Sequence, residues 1–315
     1  MEYTMKELII GKNEAGQRLD KYLFKYMNEA PTSFIYKMLR KKNIVLNGKK
    51  CTGNEQLAEK DIVKLFLSDE TIDKFTKTVA KKKKAYPYKK LDIVYEDENV
   101  IFVNKPSGML SQKAQPSDIS INEYIIGHLL NNGSIDENQL KTFKPSVCNR
   151  LDRNTSGLIL AGKSLAGTQY LSKIIKDRSL KKYYLAIVKG KIENNSSIEG
   201  YLIKDEKTNK VFIMKNKPAS PEDNTEKYIR TDYTVIKSNT EYSVLLVHLI
   251  TGRSHQIRAH LASVGHPIIG DYKYGEKKVN DMYGIKDQLL HAYRIILPDG
   301  KEYEAKPPKE FNNFL

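Results

Sequence analysis

Apolar residues recur at helical spacing near the start of the chain. Leu19, Tyr22, Leu23, Tyr26 and Met27 fall at i, i+3, i+4, i+7 and i+8, which predicts one buried face of an amphipathic helix. Pro31, Thr32 and Ser33 supply turn and cap chemistry for a second helix, with Ile35, Met38 and Leu39 as its apolar residues. Residues 44–46, followed by Asn47-Gly48, predict a strand entering a tight turn, and residues 62–67 a later strand of the same unit. The second helix ends on Lys37, Arg40, Lys41 and Lys42, cations that suit the negative end of a helix dipole.

The pattern then breaks. Residues 74–90 hold eight lysines and no acidic residue, four of them in succession at Lys81, Lys82, Lys83 and Lys84. Like charges at that density resist packing, which predicts a linker. Beyond Leu91 the β-branched runs 93–95 and 100–103 flank an acidic turn at 96–99, and 158–161, 183–188 and 244–250 are further strands. Ser164 is placed to cap a helix carrying Leu165, Tyr170, Leu171, Ile174 and Ile175. Ser254 is placed to cap another, carrying Ile257, Leu261 and Val264 and stopping at Gly265. Strands and helices mix without a βαβ cadence, so the expected class is α+β. The expected division is 1–73, a basic linker at 74–90, and 91–315.

Composition narrows the functional classes. With 315 residues, 40% hydrophobic and 29% charged, the chain has material for a sizeable core. Lys+Arg number 53 against 38 Asp+Glu, a net charge of +15, which favours a polyanionic partner such as nucleic acid or an anionic membrane. A lysine-rich proteome would produce the same excess. No apolar run is long enough to span a membrane, and the first residues lack the order of a signal peptide, so a cytoplasmic location is expected. Cys51 and Cys148 lie far apart, which excludes a disulfide scaffold and a zinc finger. There is no phosphate-binding glycine loop, and His255 and His260 fall on different faces of a helix, so neither a cofactor nor a metal is expected.

Two segments carry chemistry. In Asn149-Arg150-Leu151-Asp152-Arg153-Asn154-Thr155-Ser156-Gly157 a carboxylate lies between two arginines just before a strand. A fixed guanidinium favours the ionised form of a neighbouring carboxylate, and such a carboxylate can attack a sugar carbon. Alone, the loop favours the plainer reading, an ordinary loop salt bridge with Asp152 capping a turn. In Thr251-Gly252-Arg253-Ser254-His255-Gln256-Ile257-Arg258, His255 and Arg258 share a helix face that is expected to be exposed and to offer donors to an anion. A basic surface helix is the plainer alternative.

These segments, with Val103-Asn104-Lys105-Pro106-Ser107-Gly108, Lys182-Tyr183-Tyr184-Leu185-Ala186 and Leu290-His291-Ala292, resemble in content and order the RluA-type pseudouridine synthases. Residues 16–67 resemble the αL (S4-type) RNA-binding fold that often precedes that catalytic domain. The resemblance implies a catalytic domain on a mixed, largely antiparallel sheet flanked by helices. It implies Asp152 as the essential carboxylate, Arg258 as its ion-pair partner, and Tyr184 as the tyrosine that stacks on uracil and shares in proton transfer. Arg150 would occupy the gap left by a flipped base. Leu290 and His291 would lie near the pocket wall. Asn149 departs from the histidine frequent in the family. The small unit would hold structured RNA through Arg18, Lys37, Arg40, Lys41 and Lys42. The expected substrate is large-subunit ribosomal RNA, acted on by a monomer without cofactor or membrane, with specificity in loops 112–147 and 204–228. A tRNA-directed enzyme, a non-enzymatic ribosome-assembly factor and a glycosidase are the alternatives. The last fits the carboxylate but not the basic amino-terminal unit.

Overall fold

The computed structural model describes residues 5–76, 86–137, 139–205, 208, 210–216 and 227–315. Lys81 to Lys84, and much of the 204–228 loop, lie outside the described residues. The small unit holds β1 (Met5–Ile9), α1 (Leu19–Tyr26), α2 (Thr32–Arg40), β2 (Ile44–Leu46), β3 (Lys49–Lys50), β4 (Ile62–Phe66) and α3 (Asp69–Phe75). Its antiparallel sheet runs β1-β4-β2-β3. The predicted helix faces make its core: Leu19, Leu23 and Met27 meet Ile35, Leu39, Val63 and Leu65, all fully buried or nearly so. Asn47 (φ 51°) and Gly48 (φ 73°) are both left-handed, as a two-residue hairpin turn requires. Two details differ from expectation. Thr32 and Ser33 lie inside α2, whose N-cap is Pro31 without a side-chain bond. Strand β1 was not foreseen, because it is an almost wholly exposed edge strand with little apolar alternation.

The large unit contains β5 (Ile93–Glu96), β6 (Val100–Lys105), α4 (Ile121–Asn131), α5 (Gln139–Thr142), β7 (Ser146–Val147), β8 (Ser156–Gly162), α6 (Leu165–Lys176) and β9 (Lys181–Lys189). It continues with β10 (Ser196–Asp205), β11 (Lys210–Met214), β12 (Lys227–Ser238), β13 (Tyr242–Leu249), α7 (Gln256–Ser263), α8 (Lys277–Tyr283), β14 (Leu290–Ile296) and β15 (Glu302–Glu304). One sheet runs β11-β10-β12-β13-β9-β14-β8-β6-β5, with β15 on β14 and β7 on β8. Every pairing is antiparallel except β14 with β8. The fold is α+β, as the mixed cadence predicts.

The parallel junction depends on one glycine. Gly157 has φ +110°, and a Cβ there would lie 2.3 Å from the Ala292 carbonyl oxygen, so only glycine lets β14 close on β8. Ser164 caps α6 by accepting the Gly167 N–H. The N-cap of α7 is His255, left-handed at φ 56°, rather than Ser254. The two units also touch: the Thr142 hydroxyl donates to Glu14 (2.6 Å), and Lys12 pairs with Glu98 (3.0 Å). No helix among the described residues is long and apolar enough to cross a membrane.

Candidate active site

The loop between β7 and β8 carries Asp152 and is fixed on both sides of it. The Ser111 hydroxyl donates to Leu151 O (2.8 Å) and accepts the Leu151 N–H (2.9 Å). The side-chain amide of Asn149 mimics a strand residue, donating to Leu158 O (3.0 Å) and accepting the Leu160 N–H (2.8 Å). Lys105 is fully buried and donates to three carbonyls, those of Pro106, Met109 and Arg153, at 2.9, 2.9 and 3.0 Å. Burial lowers the pKa of that ammonium to about 7, opposed by the charges of Asp152 and Asp287. Three carbonyl acceptors, however, use all three protons of a charged lysine.

Asp152 projects from this loop with its side chain 27% exposed. Its guanidinium partner comes from far along the chain: Arg258 Nη1, on α7, donates to Oδ2 at 2.7 Å. Arg150 and Arg153, its sequence neighbours, make no ion pair with it among the described residues and are exposed. The expected pairing within the loop is therefore corrected. A turn places alternate side chains on different sides, and the helix that follows β13 reaches over the sheet to meet the carboxylate.

The exposed donor face expected on α7 is also corrected. Arg258 is 7% exposed and His260 fully buried, because α7 is covered on both sides. The Arg258 fork goes to a second carboxylate, Asp271, which accepts from Nε (2.7 Å) and Nη2 (2.9 Å). Burial opposes the Arg258 charge, but Asp271 and then Asp152 raise its pKa beyond the ordinary guanidinium range. Burial likewise disfavours the Asp271 anion, yet hydrogen bonds and charge from Arg258 carry its pKa below the usual carboxylate range. The guanidinium also lies over the Tyr274 ring, 5.1 Å from its centroid. His255 Nε2 stands 4.0 Å from Asp152 Oδ2, and burial lowers its pKa despite the pull of Asp152. Asp271 and Tyr274 escaped sequence reasoning, since a Gly-Asp-x-x-Tyr-Gly turn carries no periodicity and no short-range partner.

Tyr184 lies on β9 opposite Ala292, which in turn lies opposite Gly157, so it sits two strands from the base of the Asp152 loop. It is 8% exposed, and burial followed by the Asp152 charge raises its pKa well above the ordinary phenol value. His291, for which no chemical step is expected, is held in the core. It is fully buried, with Nε2–H donating to Ala305 O (2.9 Å) and Nδ1 accepting the Ser156 hydroxyl (2.8 Å). A cleft of about 360 Å³ opens beside Arg258, lined also by Asn154, Gln288, Lys210 and Lys273 but by neither Asp152 nor Tyr184, within the range of roughly 300–1,000 Å³ typical of ligand sites. Lys37, Arg40, Lys41 and Lys42 are exposed at the end of α2. Arg18 is committed to Asp20 (2.6 Å) and Asn54 (2.6 Å) at the start of α1.

Residues 99–263 match the family model described as RNA pseudouridylate synthase. The chain is 34% identical to ribosomal large subunit pseudouridine synthase C of Rickettsia bellii, over 97% of this chain and 99% of that one. It is 32% identical to ribosomal large subunit pseudouridine synthase D of Borreliella burgdorferi, over 71% of this chain and 67% of that one. Among solved structures, human RNA pseudouridylate synthase domain containing 4 superposes with a TM-score of 0.56 at 21% identity, covering 70% of this chain and 90% of that one. Domain containing 1 gives a TM-score of 0.55 at 24% identity, covering 70% and 84%. At those identities the structural likeness concerns the fold.

Proposed function

Since this chain belongs to the RNA pseudouridylate synthase family, and so is an isomerase of uridine in RNA, we propose that Asp152, Arg258 and Tyr184 carry the reaction and that the substrate is large-subunit ribosomal RNA. The reaction detaches uracil from ribose, turns it, and rejoins it through carbon. The target uridine leaves its stack at a cost of a few kcal/mol, offset inside the cleft. Asp152 meets the sugar as the glycosidic bond breaks, as nucleophile at C1′ or as base toward a ribose proton. Arg258 pairs with the carboxylate and aims it. Tyr184 offers its ring to the base, and its buried hydroxyl stays protonated and able to donate. Arg150, exposed and without a hydrogen-bond partner among the described residues, fills the space the base vacates. A planar guanidinium serves there for stacking and phosphate contact alike.

The observation that carries this reading is the 2.7 Å contact between Arg258 Nη1 and Asp152 Oδ2, with Arg258 also lining an open cleft. Ribosomal RNA as substrate is supported by the names of the relatives and by the cations at the end of α2. The sequence-based boundary at 73 falls inside α3, whose Phe75 packs against the core of the small unit, so we assign residues 1–75 to RNA binding, the basic segment that follows to a linker and 91–315 to catalysis. On this assignment Lys37, Arg40, Lys41 and Lys42 meet phosphate, and Arg18 acts by bracing α1. One chain suffices, since every residue named lies within it, and ribosomal RNA places its work in the cytoplasm. Asp152→Asn tests the reading: pseudouridine formation should vanish while RNA affinity stays within a few fold. Full activity in that variant rejects the role of Asp152. Mapping pseudouridines in total RNA from cells with and without the chain identifies the uridine, and sites lost from tRNA alone would reject the ribosomal assignment.

A further inference from the structure

We infer that the turn from Asp271 to Tyr274 is the positioning element of this active site, with Asp271 aiming the Arg258 guanidinium and Tyr274 aiming the Nε2–H of His255 at the same oxygen of Asp152. Asp271 is fully buried and holds Arg258 through Nε and Nη2, which leaves Nη1 as the donor directed at Asp152. Asp271 is itself fixed, because Oδ1 accepts the Lys273 N–H (2.9 Å) and the Tyr274 N–H (3.1 Å). A guanidinium held through two nitrogens of one edge cannot turn about its long axis, so the remaining nitrogen, Nη1, is aimed before substrate arrives.

Tyr274 performs the matching task for His255. Its hydroxyl accepts the Val211 N–H (2.9 Å) and lies 2.8 Å from His255 Nδ1. The hydroxyl proton has no other acceptor among the described residues, so it goes to Nδ1. That leaves the ring hydrogen of a neutral His255 on Nε2, facing Asp152 Oδ2 at 4.0 Å. The opposite tautomer would strand the hydroxyl proton and turn a lone pair toward a carboxylate. His255 can face inward because its backbone is left-handed at the start of α7. The same turn thus sets both donors around Asp152, and the Val211 bond ties their placement to β11, the edge of the sheet.

This inference rests on the pseudouridine synthase reading for its kinetic test and is independent of it for its spectroscopic one. Tyr274→Phe keeps the ring beneath Arg258 and removes the hydroxyl. It should lower kcat by about tenfold, the scale of losing an outer-shell orienting group, with KM within about twofold. In a His255→Ala background the same change should add less than about twofold, since residues acting in series are not additive. Independent multiplication of the two effects overturns the role of Tyr274. Asp271→Asn should lower kcat at least tenfold with RNA affinity unchanged, and unchanged kcat overturns the role of Asp271. Should that variant not fold, exchange of the Arg258 Nε–H in the wild-type protein decides the point, with protection expected and rapid exchange contrary. Nitrogen-15 shifts of His255 should report the Nε2–H tautomer in the wild type and a mixture in Tyr274→Phe. A wild-type Nδ1–H tautomer overturns the proposal whatever the activity. A wild-type protein inactive on every RNA offered would count against the functional reading while leaving the spectroscopic result to stand.

Discussion

On the proposed mechanism the carboxylate must be reachable and yet unable to wander, and the setting of Asp152 suits both needs. Its side chain is partly exposed, whereas Arg258, Asp271 and Lys105 around it are buried. Buried titratable groups carry a consequence for stability as well. His260 and His291 are fully buried, and desolvation lowers the pKa of each to about 4. In the unfolded chain each would titrate near 6.5. The unfolded state therefore binds protons first as pH falls, so the contribution is complete above about pH 6.5 and is lost on descending toward about pH 4. Each ring accounts for roughly 3 kcal/mol over that window. Urea unfolding followed from pH 7 to 5 should show falling stability, with a shallower fall in His291→Gln. An identical slope in that variant would show that His291 does not contribute. The reach of local reasoning shows here too. Asp152 and Arg258 stand out as residue types in their segments, but the bidentate Arg258–Asp271 grip involves two residues that no helical or strand spacing relates.

At the level of elements, the Asp152 loop is anchored by the strand that follows it. β8 is buried along its whole length, between β6 and β14. The parallel β8–β14 contact pairs Ser156 with His291 and Gly157 with Ala292, directly below the loop. Gly157→Ala would need a left-handed alanine and would press a methyl against Ala292 O. The expected cost is more than about 2 kcal/mol, with a parallel loss of pseudouridine formation because the loop loses its footing. Chemical denaturation and a product assay on the same preparation check both, and an unchanged unfolding midpoint would refute the argument. Strands with β-branched runs and helices with clear faces were readable, among them α1, α6, the β2–β3 hairpin and β9. Helix α4 has a start signal in the sequence, Ser120 with Glu123, and the two form a capping box. The arm of β10, β11 and β12 was not readable, because partly exposed strands alternate weakly and take their identity from pairing.

For the molecule as a whole, charge is the governing property. On the proposed reading a chain of net charge +15 binds RNA through phosphate and displaces counterions, so affinity should fall steeply with salt. Changing Lys37, Arg40, Lys41 and Lys42 together to glutamine should weaken binding at low salt. It should also reduce the slope of log affinity against log salt by about one for each phosphate no longer neutralised. A filter-binding or anisotropy series across ionic strength measures it, and an unaltered slope would remove the end of α2 from the interface. The polar bonds between the two units, Glu14 with Thr142 and Lys12 with Glu98, are contacts that a predicted linker does not by itself imply.

Periodicity, turn chemistry and net charge act over a few residues or over none. For that reason the α+β class, the small amino-terminal unit, the basic character and the Asp152 segment were all present in the linear chain. The register of β14 on β8, the inward turn of His255 and the passage of one guanidinium between two carboxylates depend on side chains 106 and 13 positions apart meeting. Meetings of that kind arise only when the sheet closes and burial selects one packing, since no local preference encodes the direction in which a distant side chain will point.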